Sequence, residues 1–244
     1  MEDFPAQTLA PELALLWRRY LAAETQGRRT RTMSALRGFV EALQATSEEQ
    51  RHQFAEAFCR QVADAGAALP LREPLFAGII GPFLVSARQQ GEENAERWIV
   101  HFHPNFSNMP PSRRLIEVPY LSPMDLLREA LQRDPDDART QDQLIQTLAG
   151  HFAYAVHEVP SGVLYGFDGA TVAECGEWEA DLVLFRELVQ KRQVVEKYEV
   201  AMRYWGFHFH GYADYLTHRE QYQNYADYIG RHWEGGTSGQ QAEE

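Results

Sequence analysis

The chain has 244 residues, 44% of them hydrophobic and 12% aromatic, and a formal net charge of −12. That length allows one large domain or two small ones, and that apolar content excludes a disordered chain. No apolar run is long enough to span a bilayer and no charged-then-apolar leader opens the sequence, so a cytoplasmic protein is expected, with neither nucleic acid nor membrane as partner.

Residues 1–8 are expected to fray. Leu9, Leu13, Leu16, Trp17, Tyr20 and Leu21 then recur at helical steps, and after a basic turn at Gly27–Arg31 a second helix shows Met33, Leu36, Phe39, Val40 and Leu43. Ser47 and Gln50 form the capping box of a third helix carrying Phe54, Phe58 and Val62. A fourth helix, from Pro74 to about Gln90, is apolar nearly all round and is predicted to kink at Gly81-Pro82 and to end at Gly91. A fifth lies near Glu92–Phe102. Residues 103–121 read as a Pro-rich connector, apolar enough to pack over a single domain, though a subdivision there is possible.

Ser122-Pro123-Met124-Asp125 starts the next helix: Ser122 can cap it, Pro123 sits where no donor is needed, and Asp125 suits the positive helix end. Asp134-Pro135-Asp136-Asp137 repeats the device and opens a helix expected to stop near Glu158, ahead of Pro160. Leu126-Leu127-Arg128-Glu129-Ala130-Leu131 followed by Asp134-Pro135 resembles the junction between tetratricopeptide (TPR) units. The resemblance covers residues 123–157, about one unit. The family's large aromatic and Gly positions in its first helix are absent, and no second copy follows at a period of about 34 residues. What it implies is a helix hairpin.

After a connector broken at Pro160-Ser161-Gly162, in which Val163-Leu164-Tyr165 could be extended, Thr171 and Glu174 form a second capping box. The helix it opens is expected to run to about Trp205, with Gly206 and Gly211 interrupting the pattern before a last helix rich in tyrosine. Residues 234–244 read as a disordered tail. The expected fold is therefore all-α, with eight or nine helices in an irregular or TPR-like array of hairpins, one domain over residues 1–233.

Charge is distributed unevenly. Residues 1–122 carry a net of −1 and residues 123–244 a net of −11, and the stretch 134–181 has ten carboxylates against one Arg. A concentrated negative field attracts a basic partner. The leading expectation is a protein-binding module whose acidic face docks on a basic protein, an immunity or antitoxin-type inhibitor being one version. Asp136, Asp137, Glu158, Asp168 and Glu177 are the candidate carboxylates and Tyr165 the aromatic anchor. This reading assigns no catalytic residue and no cofactor.

Two segments, Trp98 to Pro104 and Trp205 to Gly211, each place a Trp three residues before His-Phe-His. In extended backbone His101 and His103, or His208 and His210, would point the same way, and the four could hold zinc or another transition metal. This gives an alternative: a metal-binding helical protein, possibly a hydrolase. His157-Glu158 lacks the second His of a zincin motif, because Ser161 stands there. No phosphate-binding glycine loop and no GxSxG elbow occur. Cys59 and Cys175 read as two buried thiols. A third alternative is a structural homo-oligomer pairing through the tyrosine-rich last helix, since tyrosine suits interfaces.

Overall fold

Apolar residues at steps of three and four along almost the whole chain leave it no way to bury them except as packed helices. A computed structural model describes residues 9–108, 122–159 and 170–233. Among these the fold is all-α: α1 (Pro11–Thr25), α2 (Arg29–Gln44), α3 (Glu48–Cys59), α4 (Glu73–Leu75), α5 (Gly81–Gln90), α6 (Ala95–His101), α7 (His103–Ser107), α8 (Pro123–Arg133), α9 (Ala138–Glu158), α10 (Val172–Lys191), α11 (Val195–Thr217) and α12 (Tyr225–His232). Ten of these have seven residues or more, and a 3-10 turn at Arg219–Gln221 joins them, which exceeds the eight or nine helices expected.

The extra helix has a clear cause. The expected single helix from Thr171 to Trp205 is broken at residues 192–194, where Gln193 takes φ +56°. The Val194 N–H donates to the Val189 carbonyl and that of Arg192 to Leu188, closing α10 in the geometry a glycine usually supplies. Conversely, α11 runs straight through Gly206 and Gly211. A Cβ at Gly211 would lie 3.0 Å from Cε1 of Tyr228, and one at Gly206 would lie 3.1 Å from an Arg186 nitrogen. These glycines let helices approach closely; they do not end one.

The chain divides into two compact units, the first ending at Arg133 and the second starting at Asp134. The boundary falls beyond the Pro-rich connector, whose residues 109–121 lie outside those described, as do the Val163–Tyr165 segment and the tail from 234. It also separates the two helices that carry the TPR resemblance. α8 belongs to the first unit and α9 to the second.

In the first unit Trp17 is the centre of an aromatic core, with ring centroids 5.1 Å from Phe39, 5.8 Å from Phe54 and 5.3 Å from Tyr20. α4, a π-helical turn at Phe76–Ile80 and α5 form one continuous helix. Just ahead of Gly81-Pro82, where a kink is expected, lies that π turn, in which the Gly81 N–H reaches back five residues to Phe76. Charge is also buried here. Glu96, 1% exposed, accepts from Arg133 at 2.9 and 2.5 Å, and buried Arg97 donates to Asp64 and Asn94. Such charges stay inside only when paired.

The second unit packs α9, α10 and α11 around Phe152, whose ring lies 5.7 Å from Phe185, 5.2 Å from Trp205 and 5.5 Å from Phe209. α12 folds back onto α11. Cys59 and Cys175, one in each unit, are buried free thiols, and burial pushes Cys175 up to about 11.

Candidate interaction surfaces

The acidic start of α9 is largely committed inside its own unit. Asp137 caps the helix, accepting from the backbone of Arg139 at 3.1 Å and Thr140 at 3.2 Å, and also from the Thr140 hydroxyl. Asp136 accepts from Lys191 at 2.7 Å, and that hydrogen bond holds its carboxyl below the usual range. Asp142 takes both prongs of Arg192 at 2.7 and 3.0 Å, a bidentate pair that fixes the end of α10 to the start of α9.

Glu177 is exposed near the opposite end of α10. Fourteen residues of helix separate it from Lys191, the partner of Asp136, which is about 21 Å at 1.5 Å per residue. Asp136 and Glu177 therefore do not share one patch. The side chain of Glu158, and all of Tyr165 and Asp168, lie outside the described residues.

Around Glu177 the outward face of α10 has an unexpected character. Val172 and Val183 are 49% and 51% exposed, and Ala173, Gly176, Ala180 and Glu187 are exposed with them. Among the described residues no other side chain lies within 4 Å of where a Cβ at Gly176 would be. The inward face of α10 already has its apolar stripe in Trp178, Leu182, Phe185 and Val189. Two exposed valines opposite that stripe were the available sequence signal, and the acidic composition masked it.

The histidine segments are helical, not in the extended backbone that a shared metal site would require. His208 and His210 lie within α11, where residues two apart diverge by about 200°. His208 is buried, its Nδ1 3.0 Å from the Tyr225 hydroxyl, and burial lowers it to about 4. His210 is exposed, 3.1 Å from Glu179. His101 ends α6 and His103 begins α7. Among the described residues no group of three or more His, Cys, Asp or Glu side chains could hold a metal ion.

The tyrosines of α11 and α12 face one another. Tyr212, Tyr215, Tyr225 and Tyr228 are all buried, with Tyr212 and Tyr225 rings 4.8 Å apart, and Tyr228 donates to Asp214 at 3.0 Å. The rings that a tyrosine-paired homo-oligomer would use are thus mostly covered within the unit.

A surface of mixed charge lies in the first unit. A groove of about 620 Å³ runs between α2 and the α4–π turn, lined by Arg29, Met33, Arg37, Arg72, Glu73 and Pro74, and a second of similar volume adjoins it past Val40 and Glu41 to Gly78. Arg72 is held by Glu24 at 2.6 and 2.8 Å. Among the described residues neither Arg29 nor Arg37 has a hydrogen bond or ion pair. α2 has Arg28 at its cap position, without a side-chain cap and without an acidic residue in its first turn.

Among the described residues no helix is long and apolar enough to cross a membrane. No protein-family model, no curated protein and no solved structure matches the chain.

Proposed function

We propose that this is a protein-binding module that recognises a basic partner through the outward face of α10. The observation that supports the reading is the row Val172, Gly176, Ala180 and Val183, exposed on a face of α10 that also carries Glu177, Arg186 and Glu187. Small apolar side chains let a partner approach closely, and the flanking carboxylates choose a cationic one and speed its arrival. Asp136 and Asp137 have structural duties and are not counted in this face. An immunity-type inhibitor and an adaptor would use such a face alike.

The test is binding of a fluorescent amphipathic helical peptide with arginines flanking an apolar stripe. Binding is expected to weaken about tenfold when Glu177 and Glu187 are both changed to Lys, and to survive Asp136→Asn. Equal binding by the double variant, or no binding by the wild type, overturns the reading.

A further inference from the structure

We propose that α12 is an acid-released strap: uptake of a proton at His208 detaches it from α11 while α9, α10 and α11 stay packed. The inference does not depend on the α10 face.

The device is a buried imidazole whose polar contact is the strap itself. His208 is 7% exposed, and its Nδ1 lies 3.0 Å from the Tyr225 hydroxyl of α12. The rings of Tyr204 and Tyr225 stand 4.5 and 5.9 Å from it. Neutral, the imidazole accepts from the tyrosine; protonated, it puts a charge among rings with no carboxylate to balance it. The neighbouring titratable groups supply none. On α10, Cys175 is a buried thiol and Glu179 faces the exposed His210. On α11, Asp214 takes the Tyr228 hydroxyl on one oxygen and His218 on the other. On α12, Asp227 is held by Arg231, and His232 faces the Tyr222 hydroxyl. Burial is the single cause of the downward shift of His208. Burial also raises Tyr225, so its hydroxyl stays neutral.

α12 is the element that gives way at least cost. It has eight residues, held on α11 through Tyr225, Tyr228 and, just beyond it, Trp233, whose ring lies 4.6 Å from Phe207. The Phe152 cluster that joins α9, α10 and α11 takes no ring from α12. Opening a short terminal element costs less than unfolding the unit around it. Once α12 is away, His208 meets water and takes its proton without the burial penalty, so acid favours the open form. The sign follows from the depressed value: docking is complete above about pH 6.5 and weakens as pH falls towards 4. Opening bares Tyr212 and Tyr215, which continue the row that starts at exposed Val200 and Tyr204.

The test is an amide NMR titration of the full chain from pH 7.5 to 4. Residues 225–232 are expected to lose their native shifts as His208 titrates, while residues 138–158 and 172–217 keep theirs. His208→Asn leaves a polar group within reach of Tyr225 but takes up no proton, and its α12 is expected to stay docked throughout. His218→Asn and His232→Asn are expected to release as the wild type does. Should His208→Asn be unfolded at pH 7.5, Tyr225→Phe decides. It removes the bond that favours the neutral ring, so release moves to higher pH by roughly 0.5–1, the value of one hydrogen bond. The inference is overturned by a wild type whose α12 stays docked, by loss of α12 together with α9–α11 in one transition, by unchanged release in folded His208→Asn or in Tyr225→Phe, or by release that His218→Asn or His232→Asn abolishes.

Discussion

Gln44 donates its side-chain amide to the backbone oxygen of Gly78 at 3.4 Å. In an unbroken α-helix that oxygen would accept from residue 82, but residue 82 is proline and has no N–H to give. A side chain from α2 thus partners a carbonyl that the proline leaves open. A Cβ at Gly78 would meet the same amide nitrogen at 3.0 Å, so the close approach needs glycine there.

It follows that Gln44→Ala should cost about 1 kcal/mol of stability in the wild type, the usual value of a net hydrogen bond. In a Pro82→Ala background the helix regains its own donor and the same substitution should cost less. A double-mutant cycle by urea denaturation measures the coupling. Equal costs in both backgrounds would mean that Gln44 does not serve the proline.

His208 gives a pH dependence with a definite sign. Burial depresses it from an ordinary value of 6.5 to about 4, so the unfolded chain binds a proton that the folded chain refuses. The stability this group contributes is complete above about pH 6.5 and is lost as pH falls towards 4, with a ceiling of roughly 3 kcal/mol from the size of the shift. Denaturation curves at pH 7.5 and 5 should show a loss that His208→Phe reduces.

Arg133 and Glu96 are unequal partners. Arg133 is 44% exposed in its side chain and Glu96 only 1%. Removing the arginine strands a buried carboxylate, whose next cation, Arg88, is 3.9 Å away. Arg133→Met should therefore cost roughly 3 kcal/mol, within the range for broken buried pairs. Glu96→Gln should cost less, because its orphaned arginine can turn to water. Chemical denaturation of the two variants ranks them, and the reverse order would contradict this account.

Glycines inside helices should respond in opposite ways. Gly150 in α9 has open space where a Cβ would go, so Gly150→Ala should stabilise by about 0.5–1 kcal/mol through helix propensity. Gly211→Ala should instead destabilise by roughly 1–3 kcal/mol, as the added methyl meets the Tyr228 ring. Melting temperatures of the two single variants check both signs.

The same glycines explain where the sequence misleads. Gly206 and Gly211 look like helix breakers, because composition does not reveal that Arg186 and Tyr228 crowd them. The true break at Gln193 has no breaker residue. Caps were legible because they are local: Ser47 and Thr171 each accept from the backbone N–H expected of them, while α9 is capped by Asp137, three residues beyond the Asp134 that repeats the Ser122 pattern. The acidic stretch was legible as a composition but not as a surface. Whether Asp136, exposed as it is, carries its charge alone or paired with Lys191 depends on a residue 55 positions away. The His-Phe-His pairs required extended backbone, and the helical pattern of α11 prevailed over the local signal.

Each unit has its own buried indoles, Trp17 and Trp98 in the first and Trp178 and Trp205 in the second. Replacing the first pair with phenylalanine leaves fluorescence that reports the second unit, and replacing Trp178, Trp205 and Trp233 isolates the first. Titrated with urea, the two emission curves would coincide if the chain melts as a single cooperative body, and would separate if either half can lose its structure while the other keeps it.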